Sequence, residues 1–557
     1  MGKIYAKFKK IAEENKDEVI VNYKNDGQWE SYKYFDFLSR VDALAVGLLD
    51  LDIEKGDRAA IFSENRWEWL ASDLAINKIG GISVPIHYTS NQDTIEYILK
   101  DSESDILIIS RKLYYKHKEF IDSLNDLDEI ILLDNEKNSN FLMFSDLIEK
   151  NKGREVENVN NLEISSIIYT SGTTGEPKGV MLTEDNFVSN VESVLKRIKV
   201  YQSDIFLSFL PLSHVLERTA GSYVPVFSGA SISYVGDILK LSEYFGEVKP
   251  TIMISVPKIF EKSYEKIFAG IKEKGESFEK IFYKALRQKR GSLSWKIADF
   301  LIFKKLRKKV FGGRLRLAIS GGANINEQIL KFFKKIGVEI VQGYGLTETS
   351  PIVSANSLED NKLGTVGTAI EGVEIKIAPD KEVKVRGLNI MKGYWKKEDK
   401  TKEVMDDDGW FLTGDLGFLD KDNFLTIIGR KKEIIVTSNG KNIAPEKIES
   451  VINLNLFIEQ SLLVGHKRAY LAALIVPDKK TIKEKFGSDN EALFYDIVEK
   501  EMKKINKQLE SHEQIKKFKI IDKAFTIEAG ELTPTLKIRR KIIENEYESA
   551  INKLYSS

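Results

Sequence analysis

The chain has 557 residues, enough for about three or four structural units of roughly 150 residues each. Hydrophobic residues make up 42% and charged residues 30%, which excludes both a disordered chain and a single small core. The 84 basic and 84 acidic side chains cancel, so no global field attracts nucleic acid or membrane, and the lack of cysteine excludes disulfides and a thiolate nucleophile.

The first third of the chain alternates strand-like and helix-like segments. Apolar runs at residues 105–110 and 129–133 lie on either side of a polar segment that is compatible with a helix. This alternation predicts an α/β fold in which crossover helices connect parallel strands. No apolar signal region begins the sequence, and glycine, proline and serine interrupt the uncharged stretch at 219–236. We therefore expect a cytoplasmic protein.

A turn-rich loop at residues 169–179 carries the clearest chemical signal. It reads YTSGTTGEPKG and follows a strand-like run. Backbone N–H groups, hydroxyls and the Lys178 ammonium of such a loop can surround phosphate oxygens. The spacing is not that of a Walker loop, because Pro177 precedes Lys178 and Gly179 follows it. The alternative interpretation is a flexible turn.

Residues 284–316 combine basic and apolar side chains at roughly helical spacing. They contain twelve Lys or Arg residues and a single acid, Asp299. Such a segment could rest on an anionic bilayer, and the alternative is a solvated helical face. Its aromatic residues do not indicate nucleic-acid binding, because no recognition motif accompanies them.

Two glycine-containing segments follow, SGGA at residues 320–323 and QGYGLTETS at residues 342–350. Paired glycines let a flat base approach the backbone, Tyr344 offers a stacking face, and Glu348 is a hard oxygen ligand suited to Mg²⁺. Taken singly, Tyr344 could equally be a core tyrosine and Glu348 a carboxylate at a helix start.

The last part of the chain has three further polar segments. They are WFLTGD at residues 410–415, GRKKE at 429–433 and LTPTLKIRRK at 532–541. The Asp415 carboxylate can accept two hydrogen bonds at once. The alternatives are a turn aspartate, a solvated charge run and a basic surface strand. Short strands and a small α/β tail follow residue 409, so we place a domain boundary near Arg430.

Together and in this order, these segments resemble the motifs of the adenylate-forming enzymes, which include acyl-CoA synthetases, peptide-synthetase adenylation domains and firefly luciferase. The resemblance runs from about residue 56 to residue 541. It implies an α/β fold with a large N-terminal domain of two β-sheets flanked by helices plus a small β-barrel subdomain. A hinge would join this part to a small α/β C-terminal domain. The implied bounds are 1–429 for the N-terminal domain, 430–432 for the hinge and 433–557 for the mobile domain.

The resemblance also implies roles for individual residues. Lys537 would be the catalytic lysine, Thr170 and Glu348 would carry Mg²⁺ and take part in catalysis, and Lys432 would be the hinge residue. The implied ATP- and AMP-binding residues are Thr170, Ser171, Gly172, Thr173, Thr174, Gly175, Lys178, Gly321, Gly322, Ala323, Gln342, Gly343, Tyr344, Gly345, Thr347, Asp415 and Arg430.

Three features are similar to the long-chain fatty acyl-CoA synthetase branch. They are LPLSH at residues 210–214, the segment at 250–262, and Leu536 before Lys537, where many members have glycine. His214 would then lie at the mouth of the acyl pocket, although a lone histidine can also be purely structural. The other histidines, with no metal-ligand spacing, are His87, His117, His466 and His512. Arg218 stands where some relatives have an aromatic gate, which leaves the gating mechanism open.

The implied reaction is ATP-dependent activation of a long-chain fatty acid to acyl-AMP and pyrophosphate, followed by thioester formation with CoA. The expected partners are therefore the fatty acid, ATP and CoA, with Mg²⁺ as cofactor. Three alternatives remain open at this point. They are a fatty acyl-AMP ligase that loads an acyl carrier protein, a ligase for a medium-chain or aryl acid, and an inactive binding protein.

Overall fold

The computed structural model describes residues 2–124, 127–136, 141–159, 163–170, 177–487, 490–527, 529–533 and 537–556. Its strands are β1 (Val19–Asn25), β2 (Gln28–Lys33), β3 (Arg58–Phe62), β4 (Ile82–Ile86), β5 (Ile106–Ile109), β6 (Glu129–Leu132), β7 (Leu142–Met143), β8 (Ser166–Thr170), β9 (Lys178–Leu182), β10 (Ile205–Ser208), β11 (Ser231–Tyr234), β12 (Ile252–Ser255), β13 (Leu317–Ser320), β14 (Ile340–Gly345), β15 (Ile352–Ala355), β16 (Thr368–Ala369), β17 (Val373–Ile377), β18 (Glu382–Gly387), β19 (Gly393–Tyr394), β20 (Phe411–Leu419), β21 (Leu425–Arg430), β22 (Ile435–Val436), β23 (Asn442–Ile443), β24 (Ile458–Val464), β25 (Leu471–Pro477) and β26 (Ile515–Ile520).

The α-helices are α1 (Lys3–Glu14), α2 (Tyr34–Leu49), α3 (Trp67–Ile79), α4 (Gln92–Ser102), α5 (Arg111–Lys116), α6 (Lys118–Ile121), α7 (Phe144–Lys150), α8 (Glu184–Arg197), α9 (Val224–Phe227), α10 (Leu241–Val248), α11 (Pro257–Lys272), α12 (Glu276–Leu286), α13 (Leu293–Ala298), α14 (Lys304–Phe311), α15 (Glu327–Lys335), α16 (Glu398–Lys402), α17 (Pro445–Ile452), α18 (Lys479–Phe486), α19 (Glu491–Asn506), α20 (Arg540–Glu546) and α21 (Glu548–Tyr555). Two π-helical segments, Glu217–Tyr223 and Asp299–Phe303, and two 3₁₀ turns, Ile238–Lys240 and Thr347–Thr349, complete the helical elements of these residues.

Two large sheets form the centre of the N-terminal part. In the described residues one sheet has the order β16-β15-β14-β13-β12-β10-β11-β1-β2, and the other has the order β19-β9-β8-β4-β3-β5-β6-β7. Their central strands are parallel, which requires the crossover helices that the sequence pattern predicts. Strands such as β5 are buried at every position, as expected for a sheet that is covered on both faces. The predicted α/β class is confirmed.

The two smaller parts of the fold follow the large sheets along the chain. Strands β17, β18, β20 and β21 form an antiparallel sheet around a core that includes Val383 and Leu425. This sheet curls into a half-barrel and corresponds to the predicted small β-barrel subdomain. The C-terminal part packs β24-β25-β26 against α17 and α19. Residues 431–434 connect the two parts in a tight turn, in which the N–H groups of Glu433 and Ile434 both donate to the Arg430 carbonyl.

A buried π-helix, Glu217–Tyr223, ties the two large sheets together through Arg218. The Arg218 guanidinium forms a bidentate ion pair with Asp73 of α3. It also donates to the hydroxyls of Ser83 on β4 and Ser166 on β8, at 2.7 and 2.6 Å. Arg218 is fully buried, and breaking such a pair by removing one partner typically costs about 3–5 kcal/mol. Residue 218 is therefore a fixed anchor in this chain, which argues against a gate that swings at this position.

The uncharged stretch at residues 219–236 belongs to this same interior. It contains the rest of the π-helix, α9 and β11, and most of its side chains are buried. Among the described helices none combines the length and the apolar character needed to cross a bilayer.

Candidate active site

The predicted site residues meet where strands of both large sheets end. Thr170 is the last residue of β8, Gly321 follows the last residue of β13, and Gly345 is the last residue of β14. The carboxyl ends of parallel strands are the usual ligand-binding edge of an open α/β sheet. Lys537 reaches the same place from the C-terminal domain.

The two ends of the glycine-rich loop lie side by side. Thr170 pairs with Lys178 across the antiparallel strands β8 and β9, and the Thr170 hydroxyl lies 3.4 Å from the Lys178 carbonyl oxygen. The predicted phosphate ligands Ser171, Gly172, Thr173, Thr174 and Gly175 lie outside the described residues. The Lys178 ammonium lies 4.1 Å from the centre of the Tyr394 ring. Burial lowers the pKa of this ammonium, and the carboxylate of Glu348 opposes the shift.

Glu348 is held beside Lys178 by a short helical turn, Thr347–Thr349. One of its carboxylate oxygens accepts a hydrogen bond from the Tyr394 hydroxyl at 2.8 Å. The Thr170 hydroxyl and the Glu348 carboxylate are hard oxygen donors, so they fit Mg²⁺, which usually binds one or two carboxylates together with substrate phosphates. In the described part of the chain no group of three or more His, Asp or Glu side chains could hold a metal ion.

The glycines at residues 320–323 and 342–350 have no side chain, which allows other segments of the chain to approach the backbone closely. A Cβ atom at Gly345 would lie 1.6 Å from the Pro351 carbonyl oxygen, a distance that no side chain can occupy. Gly322 has a φ of +82°, a conformation that favours glycine, and the Gly321 N–H donates to the Ser255 carbonyl at 3.0 Å. The structure places Ala323 directly after this turn. It places Gln342 and Gly343 on β14 beside β13.

Asp415 forms a second cluster with Tyr344 and Arg430. The Tyr344 hydroxyl donates to one Asp415 carboxylate oxygen at 2.6 Å, and Arg430 Nε lies 3.0 Å from the other. Strands β20 and β21 place Asp415 directly opposite Arg430. Burial raises the pKa of the Asp415 carboxyl, and Arg430 opposes the shift. Tyr344 packs its ring on the half-barrel core, so its hydroxyl orients the carboxylate.

Lys537 is positioned by contacts within the C-terminal domain. Its N–H donates to the Thr533 hydroxyl at 3.0 Å, and its carbonyl accepts from the Thr533 N–H at 2.8 Å. Arg540, three residues on, forms a buried bidentate pair with Glu449 at 2.8 and 3.0 Å. These contacts fix the backbone of Lys537 relative to Thr533 and hold Arg540, which follows it, in the domain interior.

The charges of Asp415 and Arg430 affect the pKa of the Lys537 ammonium. The side chain keeps access to solvent, but the protein packed around it removes hydration and lowers the pKa of the ammonium. Repulsion from Arg430 adds to this shift, and Glu446 and Asp415 oppose it. Lys537 thus lies within range of charge interaction with Asp415 and Arg430, which stand on strands β20 and β21 of the half-barrel sheet.

His214 lies within range of charge interaction with Lys537. Burial and the nearby Lys537 ammonium lower the pKa of His214 to about 4. No motif or spacing singled out His87, yet this residue lies close enough to His214 for the two rings to interact electrostatically. Its position could have indicated a site residue. His87 directly follows the buried strand β4, and the predicted site residue Thr170 ends the neighbouring strand β8. Tyr394 is a second residue that the sequence reasoning missed.

Known proteins match this chain over nearly its whole length. The AMP-binding enzyme family model matches residues 8–395, and the model for the AMP-binding enzyme C-terminal domain matches residues 432–557. The long-chain fatty acid–CoA ligase FadD15 of Mycobacterium bovis is 33% identical over 97% of this chain and 95% of its own length. The long-chain fatty acid–[acyl-carrier-protein] ligase AEE15 of Arabidopsis thaliana is 30% identical over 92% of this chain and 81% of its own length.

Solved structures share the fold. The adenylation domain of a carboxylate reductase from Mycobacterium chelonae superposes with a TM-score of 0.83 at 19% identity. The match covers 100% of this chain and 91% of that one.

The contact at Gly345 predicts the effect of adding one methyl group. Gly345→Ala should lower the free energy of unfolding by about 1–3 kcal/mol, because the Pro351 carbonyl must move, and should weaken AMP binding. Thermal unfolding and calorimetric titration with AMP measure the two effects. The control is Gly246→Ala in α10, where nothing lies within 4 Å of the new Cβ. Unchanged stability and AMP affinity in Gly345→Ala would contradict the close approach.

Proposed function

The chain belongs to the AMP-binding enzyme family, and we propose that it uses ATP to activate long-chain fatty acids and then transfers the acyl group to CoA. The observation that carries this proposal is the buried Asp415 carboxylate, paired with Arg430 at 3.0 Å, together with a Lys537 ammonium that lies within range of charge interaction with both. This arrangement brings the charge of a lysine from the C-terminal domain to a carboxylate that is suited to ribose hydroxyls. The near full-length likeness to a long-chain fatty acid–CoA ligase supports the choice of acid and of acceptor.

The first step joins two anions, so the site must supply positive charge. A carboxylate oxygen of the fatty acid attacks the α-phosphorus of ATP, and the bond to the β-phosphate oxygen breaks to release pyrophosphate. Lys178 and the glycine-rich loop would hold the phosphates, and Lys537 would lie near the α-phosphate and the carboxylate. Mg²⁺ bound through Thr170 and Glu348 would neutralise phosphate charge. Asp415 would accept hydrogen bonds from the ribose hydroxyls.

The second step needs a path for CoA to the acyl-AMP. The thiol sulfur attacks the acyl carbonyl carbon, AMP leaves, and the thiol proton is released. We propose that residues 433–557 rotate about a hinge at 430–432, with Lys432 at its centre, and withdraw Lys537 between the two steps. The turn at residues 431–434 supports this proposal, because it connects β21 to the domain that carries Lys537 and its first two residues, Lys431 and Lys432, are exposed.

This division of labour predicts that Lys537 matters for one step only. Lys537→Ala should slow ATP–pyrophosphate exchange by about 10²-fold or more, the scale of losing one aimed electrostatic donor. Thioester formation from supplied acyl-AMP and CoA should survive. Lys541→Ala, an exposed lysine four residues on, is the matched control and should leave both steps unchanged. An equal loss in both half-reactions would refute the proposed withdrawal of Lys537.

An acid and acceptor screen tests the function itself. Saturated acids from acetate to stearate, each with ATP and CoA, should give acyl-CoA and pyrophosphate, with the highest rates for long chains. Acyl-AMP that accumulates until an acyl carrier protein is added would favour the carrier-protein reaction, which the name of the AEE15 ligase makes the specific alternative. Absence of pyrophosphate release with every acid would indicate a binding protein without this activity.

We also propose that residues 284–316 contact an anionic membrane, from which the enzyme would take poorly soluble fatty acids. Four large apolar side chains on α13 and the following π-helical segment are exposed, and Leu293 and Phe300 are 76% and 69% accessible. Exposed lysines surround them. A simple solvated face would not present this much apolar surface among its charges, whereas an interfacial helix does.

Vesicle sedimentation tests the membrane contact. Changing Lys304, Lys305, Lys308 and Lys309 to Gln should weaken binding to phosphatidylglycerol-containing vesicles by about a hundredfold or more, since each lysine contributes on the order of 1 kcal/mol. Leu293→Ser with Phe300→Ser should weaken it without changing the charge. The charge-matched control replaces four exposed lysines elsewhere, namely Lys421, Lys507, Lys516 and Lys523. Unchanged binding after the first set of substitutions would remove the proposal.

A further inference from the structure

His87 stands at the ligand-binding edge of the second sheet, level with the start of the glycine-rich loop. Ser83 of β4 lies opposite Ser166 of β8 in the parallel register. Counting four residues along each strand leads to His87 and Thr170. Parallel neighbours advance together, so the backbone of His87, the first residue after β4, is at about the same level of the sheet as Thr170.

The hydrogen bonds of His87 determine which ring nitrogen carries the proton. Its Nδ1 accepts the N–H of Thr89 at 3.1 Å and lies 2.9 Å from the Thr89 hydroxyl oxygen. A nitrogen that accepts a backbone N–H has no proton of its own, so the neutral ring carries its proton on Nε2. Burial and the nearby His214 lower the pKa of His87 to about 3, and the ring is therefore neutral at pH 7.

The Nε2–H of His87 is a buried donor with no acceptor in the described residues. The Tyr88 ring stacks on the imidazole, with centroids 4.9 Å apart and planes 21° from parallel, which opposes rotation of the ring towards water. Leaving such a donor unsatisfied costs about 1–3 kcal/mol. Buried donors without an acceptor are rare in folded proteins, and a bound ligand that supplies the acceptor would explain this one.

His214 repeats the same local arrangement. Its Nδ1 accepts the N–H of Leu216 at 3.2 Å, two residues on, as His87 does with Thr89. Its neutral form also carries the proton on Nε2. Two neutral imidazoles, one of them within range of the Lys537 charge, thus present N–H donors and add no positive charge where ammonium and guanidinium groups already repel each other.

We infer that His87 binds the acyl group, with its Nε2–H donating to the carbonyl oxygen of the acyl-adenylate beside His214. This inference rests on the proposed function, and it adds a binding residue to it. A neutral donor suits a carbonyl oxygen that carries partial negative charge and gains more as a thiol attacks its carbon. The bound carbonyl would supply the acceptor that the protein itself does not give to His87.

Two substitutions separate ligand binding from loop support. His87→Asn keeps a polar atom at the position of Nδ1 for the Thr89 N–H and removes the donor at the ε position. His87→Gln keeps an N–H donor at the ε position and removes the δ acceptor. The control is His117→Asn, because His117 Nε2 is also buried without an acceptor in the described residues, but its ring packs on Phe62.

The probe is a non-hydrolysable palmitoyl sulfamoyl adenosine, which has the acyl carbonyl, compared with AMP, which lacks it. In calorimetric titration His87→Asn should bind the palmitoyl compound about three- to tenfold more weakly with unchanged AMP affinity, the loss of one neutral hydrogen bond. His87→Gln should restore most of the affinity, and His117→Asn should match the unchanged protein. Melting curves of all three variants accompany the titrations.

The opposite results overturn the inference. Full affinity in His87→Asn, or a loss in His87→Gln alone, would assign the ring to support of the loop. Equal losses for AMP and the palmitoyl compound, or unfolding of both variants, would assign it to the fold. If the unchanged protein binds AMP but not the palmitoyl compound, the proposed function fails, and this inference fails with it.

Discussion

The buried ion pair between Arg218 and Asp73 is the interaction on which the site geometry depends. It fixes the π-helix to α3, and through Ser83 and Ser166 to β4 and β8. Those two strands lead to His87 and Thr170, and His214 lies just before the π-helix. A bidentate guanidinium with all of these partners tolerates little displacement. One contact therefore sets the relative positions of His87, His214 and Thr170.

An apolar replacement of this pair could be equally stable, because desolvation offsets much of the attraction between buried charges. A pair of leucines, however, could pack in several orientations. The guanidinium instead satisfies four acceptor oxygens on α3, β4 and β8, which fixes the orientation of these elements. We interpret the ion pair as a device that selects one arrangement of two sheets over near alternatives. Selecting one arrangement matters for catalysis, because a shift of about 1 Å in the positioned groups can lower the rate 10²-fold.

Contiguous motifs could be predicted from the sequence, and contacts between distant segments could not. Thr170 and Lys178 belong to one loop whose chemistry is visible in its residue types. Asp415 and Lys537 were chosen through family resemblance, but their meeting depends on how the C-terminal domain sits on the half-barrel. His87 could not be selected from the sequence, because a single histidine outside any motif carries no spacing pattern that indicates a function. For residues 284–316, helical periodicity indicated an apolar stripe, but not that Leu293 and Phe300 stay uncovered.

The zero net charge of the chain hides a strongly uneven site. Lys178 and Lys537 both have lowered pKa values, because each is poorly hydrated and each faces another cation. Their charged forms are therefore held at a cost that anions can relieve. ATP phosphates and a carboxylate placed between these groups would raise both pKa values and draw the two domains together. The neutral state of His87 and His214 limits the same repulsion between cations in the site. Two further charges would add repulsion in the absence of substrate, whereas two neutral N–H donors would bind the proposed acyl group without adding that repulsion.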